Sequence, residues 1–117
     1  MPGTVLIVDD HATFRTLARR MLEAHGYEVV GEAETGVAAL DAAARLRPAA
    51  VLLDIQLPDL DGFAVTERLA RAEHPPAVVL VSSRDASAYR RRLGDSPARG
   101  FLAKSDLTGA AFATLVA

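Results

Sequence analysis

The stretch Val51-Leu52-Leu53-Asp54-Ile55-Gln56-Leu57-Pro58-Asp59-Leu60-Asp61-Gly62 decides how the chain folds. Val51, Leu52 and Leu53 form a short aliphatic run bounded by turn signals, the pattern of a central parallel strand buried on both faces. Asp54 therefore stands where the chain leaves the core. Pro58 has no backbone N–H and Gly62 accepts dihedrals that side chains forbid, so the residues after the acid read as a shaped loop leading into a helix. Loops that follow strands are where open α/β folds carry their chemistry.

Four more strand signals flank this one. Residues 4–8 (TVLIV) run into Asp9-Asp10-His11, and residues 77–81 (AVVLV) run into Ser82-Ser83-Arg84-Asp85. Residues 27–33 (YEVVGEA) are less hydrophobic and read as an edge strand, and residues 100–103 (GFLA) end in Lys104. Helical periodicity fills the intervals. Phe14, Leu17, Ala18, Met21 and Leu22 recur at i, i+3, i+4, i+7 and i+8, with Arg15, Arg19, Arg20 and Glu23 off that stripe and Gly26 as the closing cap. Thr35 is a candidate N-cap for a helix carried by Val37, Leu40, Ala43 and Ala44 and ending at Pro48. Residues 62–72 predict a third helix stopped by His74-Pro75-Pro76. Residues 87–93 predict a short basic fourth helix, and residues 106–116 a weakly amphipathic fifth. Five strands alternating with five helices through short connections call for parallel strands and right-handed crossovers. The expected fold is α/β: a doubly wound, five-stranded parallel sheet in the order 2-1-3-4-5, a flavodoxin-like (βα)5 three-layer sandwich spanning residues 1–117 as one domain.

Composition bounds the function. The 117 residues are 50% hydrophobic and 24% charged, ordinary for a globular domain and too apolar for a disordered one. The absence of cysteine removes disulfides, thiolate catalysis and Cys-based metal sites. A net charge of -2 gives no general attraction to nucleic acid. No tract is long enough to span a bilayer, and Met1-Pro2-Gly3-Thr4 leads into the first strand without a basic segment, so a cytoplasmic location is expected.

In the expected sheet, every strand's carboxyl end faces one rim. Asp9, Asp10, Asp54, Ser82 and Lys104 become neighbours there. Three acids repel one another and raise the apparent pKa of the group unless a cation joins them. Magnesium, which keeps several waters and takes few carboxylates, suits an open rim. A carboxylate beside magnesium and a lysine can attack phosphorus, because the cations neutralise charge on the transferred oxygens.

With VDD at 8–10, LLDIQLPDLDG at 52–62, VSS at 81–83 and GFLAKS at 100–105, the chain resembles the receiver domain of two-component response regulators from about Thr4 onward. The resemblance implies that Asp54 is the phosphoacceptor, phosphorylated by a sensor histidine kinase or a histidine phosphotransfer protein. It implies a magnesium site, open also to manganese, from Asp9, Asp10, Asp54 and the backbone carbonyl of Gln56, with Asp10 the more direct ligand and Asp9 acting through water. Lys104 then pairs with phosphoryl oxygens, and Ser82 and Phe101 stand at the family's switch positions. Gln56 and Arg84 stand where phosphoryl lifetime is tuned. The protein is then a self-catalysing phosphoacceptor switch rather than an enzyme. The face built from the fourth helix, fifth strand and fifth helix becomes a candidate surface for a homodimer or an output partner, with no direct contact to nucleic acid or membrane. Two departures stand out. Phe101 lacks the hydroxyl of the tyrosine frequent at that position, and Ser105 replaces a frequent proline, leaving a cis Lys104–Ser105 bond open to question.

Other readings compete. Asp9 or Asp10 can cap the following helix, and Asp59 and Asp61 can shape the loop or cap the third helix. Arg90, Arg91 and Arg92 suit either a solvated face or a docking face, while Arg15, Arg19 and Arg20 stand near the rim a kinase approaches. His11 adjoins the acids as a candidate modulator; His25 and His74 pair with nothing. An aspartate-nucleophile phosphohydrolase is disfavoured by Gln56 at the usual place of a second acid. A nucleotide or flavin module is disfavoured by the acid pair where a glycine-rich phosphate loop is needed. A phosphorylation-independent interaction module remains the alternative.

Overall fold

The computed structural model describes residues 3–117; Met1 and Pro2, which carried part of the reading against a secretory leader and are the first two positions of the expected domain, lie outside them. Strand β1 (Thr4–Val8) is followed by α1 (Ala12–Ala24), β2 (Glu28–Ala33), α2 (Gly36–Leu46), β3 (Ala50–Asp54), α3 (Gly62–Ala70) and β4 (Ala77–Ser82). A 3-10 turn (Ala86–Tyr89) runs into α4 (Arg90–Gly94), then come β5 (Gly100–Ala103), a second 3-10 turn (Lys104–Asp106) and α5 (Gly109–Val116). The five strands are parallel in the order β2-β1-β3-β4-β5, the doubly wound flavodoxin-like arrangement expected, with β2 at an edge. Among the described residues no helix is long and apolar enough to cross a membrane.

The pleat of the central strands splits the interior into two cores. Leu6, Val8, Val51, Leu53, Val78 and Leu80 face one side, where they meet Ala39, Ala43, Phe63, Val65 and Tyr89. Val5, Ile7, Leu52, Val79 and Val81 face the other and pack on Ala18, Leu22, Leu107 and Phe112. Burial on both faces is why these strands read as unbroken aliphatic runs. Register then sets the rim: Val8 stands opposite Leu53, Asp54 opposite Val81, and Ser82 opposite Ala103. The residues that end or follow these strands are thereby lined up at one edge.

Two predicted stripes are wider than the faces the helices bury. On α1 the buried centre is Ala18 and Leu22, and Leu17 is 47% exposed. At about 100° per residue Leu17 lies on the margin of that face. On α2 the buried residues include Ala39, Ala42 and Ala43, whereas Val37 is 63% exposed and Ala44 is exposed, because both lie away from that arc. The third helix stops at Ala70 rather than 72. The fourth and fifth begin later than expected, each preceded by a 3-10 turn. The Lys104–Ser105 peptide is trans, which answers the question raised by the missing proline.

Local chemistry fixes the loops. Thr35 Oγ1 accepts from the Ala38 N–H and caps α2 as predicted. Asp61 caps α3 through the Ala64 N–H. Asp59 caps α2 instead, accepting from the Gly36 and Val37 N–H groups at 2.7 and 2.9 Å, which ties the loop after β3 to a neighbouring helix. Those bonds hold its carboxyl below the usual range. Gly26 has φ 93° after α1, a conformation suited to glycine. Gly62 is required for a different reason from the dihedral freedom expected of it, since its φ is not positive. A Cβ there would stand 2.6 Å from the Asp54 carbonyl oxygen and 2.8 Å from Ile55 Cα, so only glycine lets α3 start against the end of β3.

Candidate functional site

Four of the predicted rim residues converge. The Lys104 ammonium lies 2.6 Å from Asp9 Oδ2 and 3.5 Å from Asp54 Oδ2, and the same nitrogen stands over the Phe14 ring, 4.5 Å from the centroid. Asp9 is fully buried, Asp54 is 3% exposed, and Asp10 is open to solvent. Asp9 Oδ1 accepts from the His11 N–H at 2.8 Å, and Asp54 Oδ1 accepts from the Gln56 N–H at 3.3 Å. These backbone bonds aim each carboxylate back over its own loop.

One lysine does not balance the charge. Burial, and then the negative charge of Asp9, push the Asp54 carboxyl up to about 6, with Lys104 pulling the other way. Asp9 Oδ2 is buried and accepts no directed hydrogen bond, although the ammonium stands close to it; the contact is an ion pair whose geometry is off the hydrogen-bonding direction. Carboxylate oxygens of Asp9, Asp10 and Asp54 and a ring nitrogen of His11 lie within 4.8 Å of one another. An unsatisfied buried carboxylate oxygen, a raised pKa and a compact set of oxygen donors are what a hard divalent cation relieves.

Ser82 ends β4 fully buried, and its hydroxyl is not joined to the acids. Ser82 Oγ lies 3.3 Å from Tyr89 Oη and accepts from the Arg84 N–H at 3.1 Å. Tyr89 is a functional candidate that sequence reasoning missed. Its ring sits between Phe63 (centroids 5.9 Å apart) and Phe101 (6.2 Å), so the aromatic residue expected at a switch position has a phenol beside it. The signal in the sequence was slight: a lone aromatic seven residues after Ser82 in a polar, basic stretch. Phe101 is half-buried, and the side chains of Gln56 and Arg84 are exposed at the rim.

The arginines divide. Arg15 is largely buried, donating to Glu32, Glu34 and the Asp9 carbonyl, and Arg19 donates to Glu32, so these two brace α1 against β2 rather than stand free for a partner. Burial works to raise the Glu32 pKa, but the two guanidinium groups outweigh it and hold the carboxyl below its ordinary value. Arg92 donates to Asp61 at 2.7 Å and covers the Phe63 ring at 4.2 Å, linking α4 to the start of α3. Arg20, Arg90 and Arg91 are exposed.

Comparison with known proteins bears on the family and the fold. The family model for the response regulator receiver domain matches residues 5–110. The positive transcription regulator of virulence factors BvgA of Bordetella pertussis is 38% identical over 106 residues, 91% of this chain and 51% of that protein. Response regulator GacA of Pseudomonas protegens is 39% identical over 101 residues, 86% of this chain and 47% of that one. The chain thus spans about half the length of these relatives. Among solved structures, the signal receiver domain of the response regulator NarL from Mycobacterium tuberculosis superposes with a TM-score of 0.85 at 33% identity, covering 97% of this chain and 96% of that one.

Proposed function

The chain belongs to the response regulator receiver domain family, and from that premise we propose that it is a switch which takes a phosphoryl group onto Asp54 from the phosphohistidine of a sensor histidine kinase or phosphotransfer protein. The observation that carries the reading is the Lys104 ammonium set between the buried carboxylates of Asp9 and Asp54. In the transfer, an Asp54 carboxylate oxygen attacks phosphorus, the bond from phosphorus to the donor nitrogen breaks, and the imidazole leaves with a proton. Lys104 exchanges its contact with Asp54 for the phosphoryl oxygens. Asp10, Asp54 and the Gln56 carbonyl would hold a magnesium ion, with Asp9 acting through water. When bound, the ion offsets charge on the transferred oxygens. Attack of water on the same phosphorus returns Asp54 to a carboxylate, with Gln56 and Arg84 flanking the approach. The protein is therefore a phosphoacceptor rather than an enzyme turning over a separate substrate.

The switch follows from Ser82. Its hydroxyl shares a 3.3 Å contact with the Tyr89 hydroxyl, in which either oxygen can donate, and turning Oγ toward a phosphoryl oxygen pulls it away from that partner. Where that movement breaks the contact, the Tyr89 hydroxyl loses its partner in a buried site, which costs about 1–3 kcal/mol if nothing replaces the bond. Tyr89 and the neighbouring Phe101 ring then shift, and α4 with them. Phosphorylation thus changes the population of two surface states. The face of α4, β5 and α5 is where we place the homodimer or output partner, with residues 1–117 acting as one receiver unit in the cytoplasm. Relatives carry such a region beside different outputs: BvgA is a transcription regulator, and a protein-glutamate methylesterase of Alkalilimnicola ehrlichii is 38% identical across 93% of this chain and 29% of its own length.

The test is intact mass after incubation with phosphoramidate, with and without magnesium. One phosphoryl increment that requires magnesium and fails to accumulate at the wild-type rate in Lys104→Ala is expected. No increment, with beryllofluoride also failing to bind, would instead favour an interaction module that works without phosphorylation.

A further inference from the structure

Beside the carboxylates of Asp9, Asp10 and Asp54, His11 brings an imidazole nitrogen. Its Nδ1 lies 3.1 Å from Asp10 Oδ1 and 3.2 Å from Asp9 Oδ1. Adjacent ligands of an octahedral ion with bonds of about 2.1 Å stand about 3.0 Å apart, so the ring nitrogen already occupies a place beside the acids that a ligand would take. The ring is held there by its backbone: the His11 N–H donates to Asp9 Oδ1, and the residue is the N-cap of α1 without a side-chain cap bond. A second observation points to a cation: Asp9 Oδ2 is buried in the same cluster and accepts no directed hydrogen bond, although the Lys104 ammonium lies 2.6 Å away. His11 is 69% exposed, on the open side of the rim where an ion retains its waters.

Oxygen donors alone suit magnesium, whereas imidazole suits borderline ions such as iron, cobalt and nickel, and raises their affinity relative to magnesium. We propose that His11 is a ligand in the divalent-cation site of this chain and tilts its selectivity from magnesium toward borderline transition metals. The inference rests on the reading of the acid cluster as a cation site. It assigns His11 a contact, through Nδ1, that the carboxylates and the Gln56 carbonyl do not supply. His25 and His74 provide an internal control, since they lie near the opposite rim, by Gly3 and Thr4 and by Arg47 and Pro48 respectively.

The experiment is pulsed electron paramagnetic resonance on the Mn2+-loaded protein carrying 15N-labelled histidine, beside His11→Ala, with Mg2+ and Co2+ affinities measured by calorimetry for both. A directly coordinated histidine nitrogen in the wild type, absent in His11→Ala, is expected. The substitution should weaken Co2+ binding on the order of tenfold while changing Mg2+ binding by less than about twofold. Mn2+ bound without histidine coupling, or equal weakening of Mg2+ and Co2+, would show that His11 only hydrogen-bonds the carboxylates and would overturn the proposal. Failure of every ion to bind would sink the cation site itself, an outcome told apart by the flat Mg2+ titration.

Discussion

Replacing Asp54 by asparagine should make the metal-free protein more stable, because the wild type holds a carboxylate where its charge is costly. Its carboxyl titrates at about 6 against an ordinary 3.8, chiefly through burial and then the charge of Asp9. The native state therefore binds this proton more firmly than the unfolded chain. A group of that kind contributes stability in full below its unfolded pKa, and the contribution is lost as pH rises through the folded value. At about 1.36 kcal/mol per pH unit, the loss is complete above about pH 7 and amounts to roughly 3 kcal/mol. Asparagine is nearly isosteric and can still accept from the Gln56 N–H, so most of that cost disappears in the variant. Urea unfolding in the presence of a chelator should show Asp54→Asn ahead by about 2–3 kcal/mol at about pH 7.5, by about half of that near pH 5, and by a few tenths near pH 4. In melting temperature the neutral-pH gap is on the order of 10 °C. Magnesium should narrow it, since the ion stabilises only the protein that binds it. A variant no more stable than wild type at neutral pH, or a gap that does not shrink on acidification, would refute the claim that the cluster is under-neutralised.

Five further substitutions separate parts of the account. Tyr89→Phe removes the competing partner of Ser82, so beryllofluoride should bind up to about fivefold tighter, equivalent to about 1 kcal/mol, as read by calorimetry; unchanged affinity would dissociate Tyr89 from the switch. Gly62→Ala drives a Cβ into the Asp54 carbonyl and should cost about 3 kcal/mol in urea unfolding, with a cost under about 0.5 kcal/mol ruling out the close approach. Arg92→Ala loses both the Asp61 pair and the cover on Phe63, for an expected destabilisation of about 1 kcal/mol that should shrink below about pH 4 as Asp61, held by Arg92 and the Ala64 N–H against its partial burial, takes up a proton. Gln56→Ala and Arg84→Ala should alter the phosphoryl lifetime with little change in folding, because both side chains are exposed at the rim; unaltered lifetimes would remove them from the tuning role.

The sheet was legible because burial on both faces writes an unbroken aliphatic run, and alternation with helices leaves few topologies. Once the strands are parallel, the positions of Asp9, Asp54, Ser82 and Lys104 at one rim follow from where each run stops. What could not be read was anything set by the angle at which a helix meets the sheet. Leu17 and Val37 satisfy a helical period, but the period gives a direction and not the width of the buried arc. Tyr89 was hidden for a related reason: it ends a 3-10 turn, whose three-residue period breaks the phase of the helix that follows. Asp59 reaches the start of α2 across 23 residues, a link no local pattern announces. Gly62 was singled out for its backbone freedom, whereas the constraint is space beside Asp54.

The central claim is most directly tested by locating the phosphoryl group. The protein treated with phosphoramidate and magnesium is reduced with borohydride, which converts an aspartyl phosphate to homoserine, and the peptide spanning β3 and the following loop is sequenced by mass spectrometry. The account predicts homoserine at residue 54 and nowhere else. Homoserine at Asp9 or Asp10, or none in a protein that carries the phosphoryl mass, would contradict it.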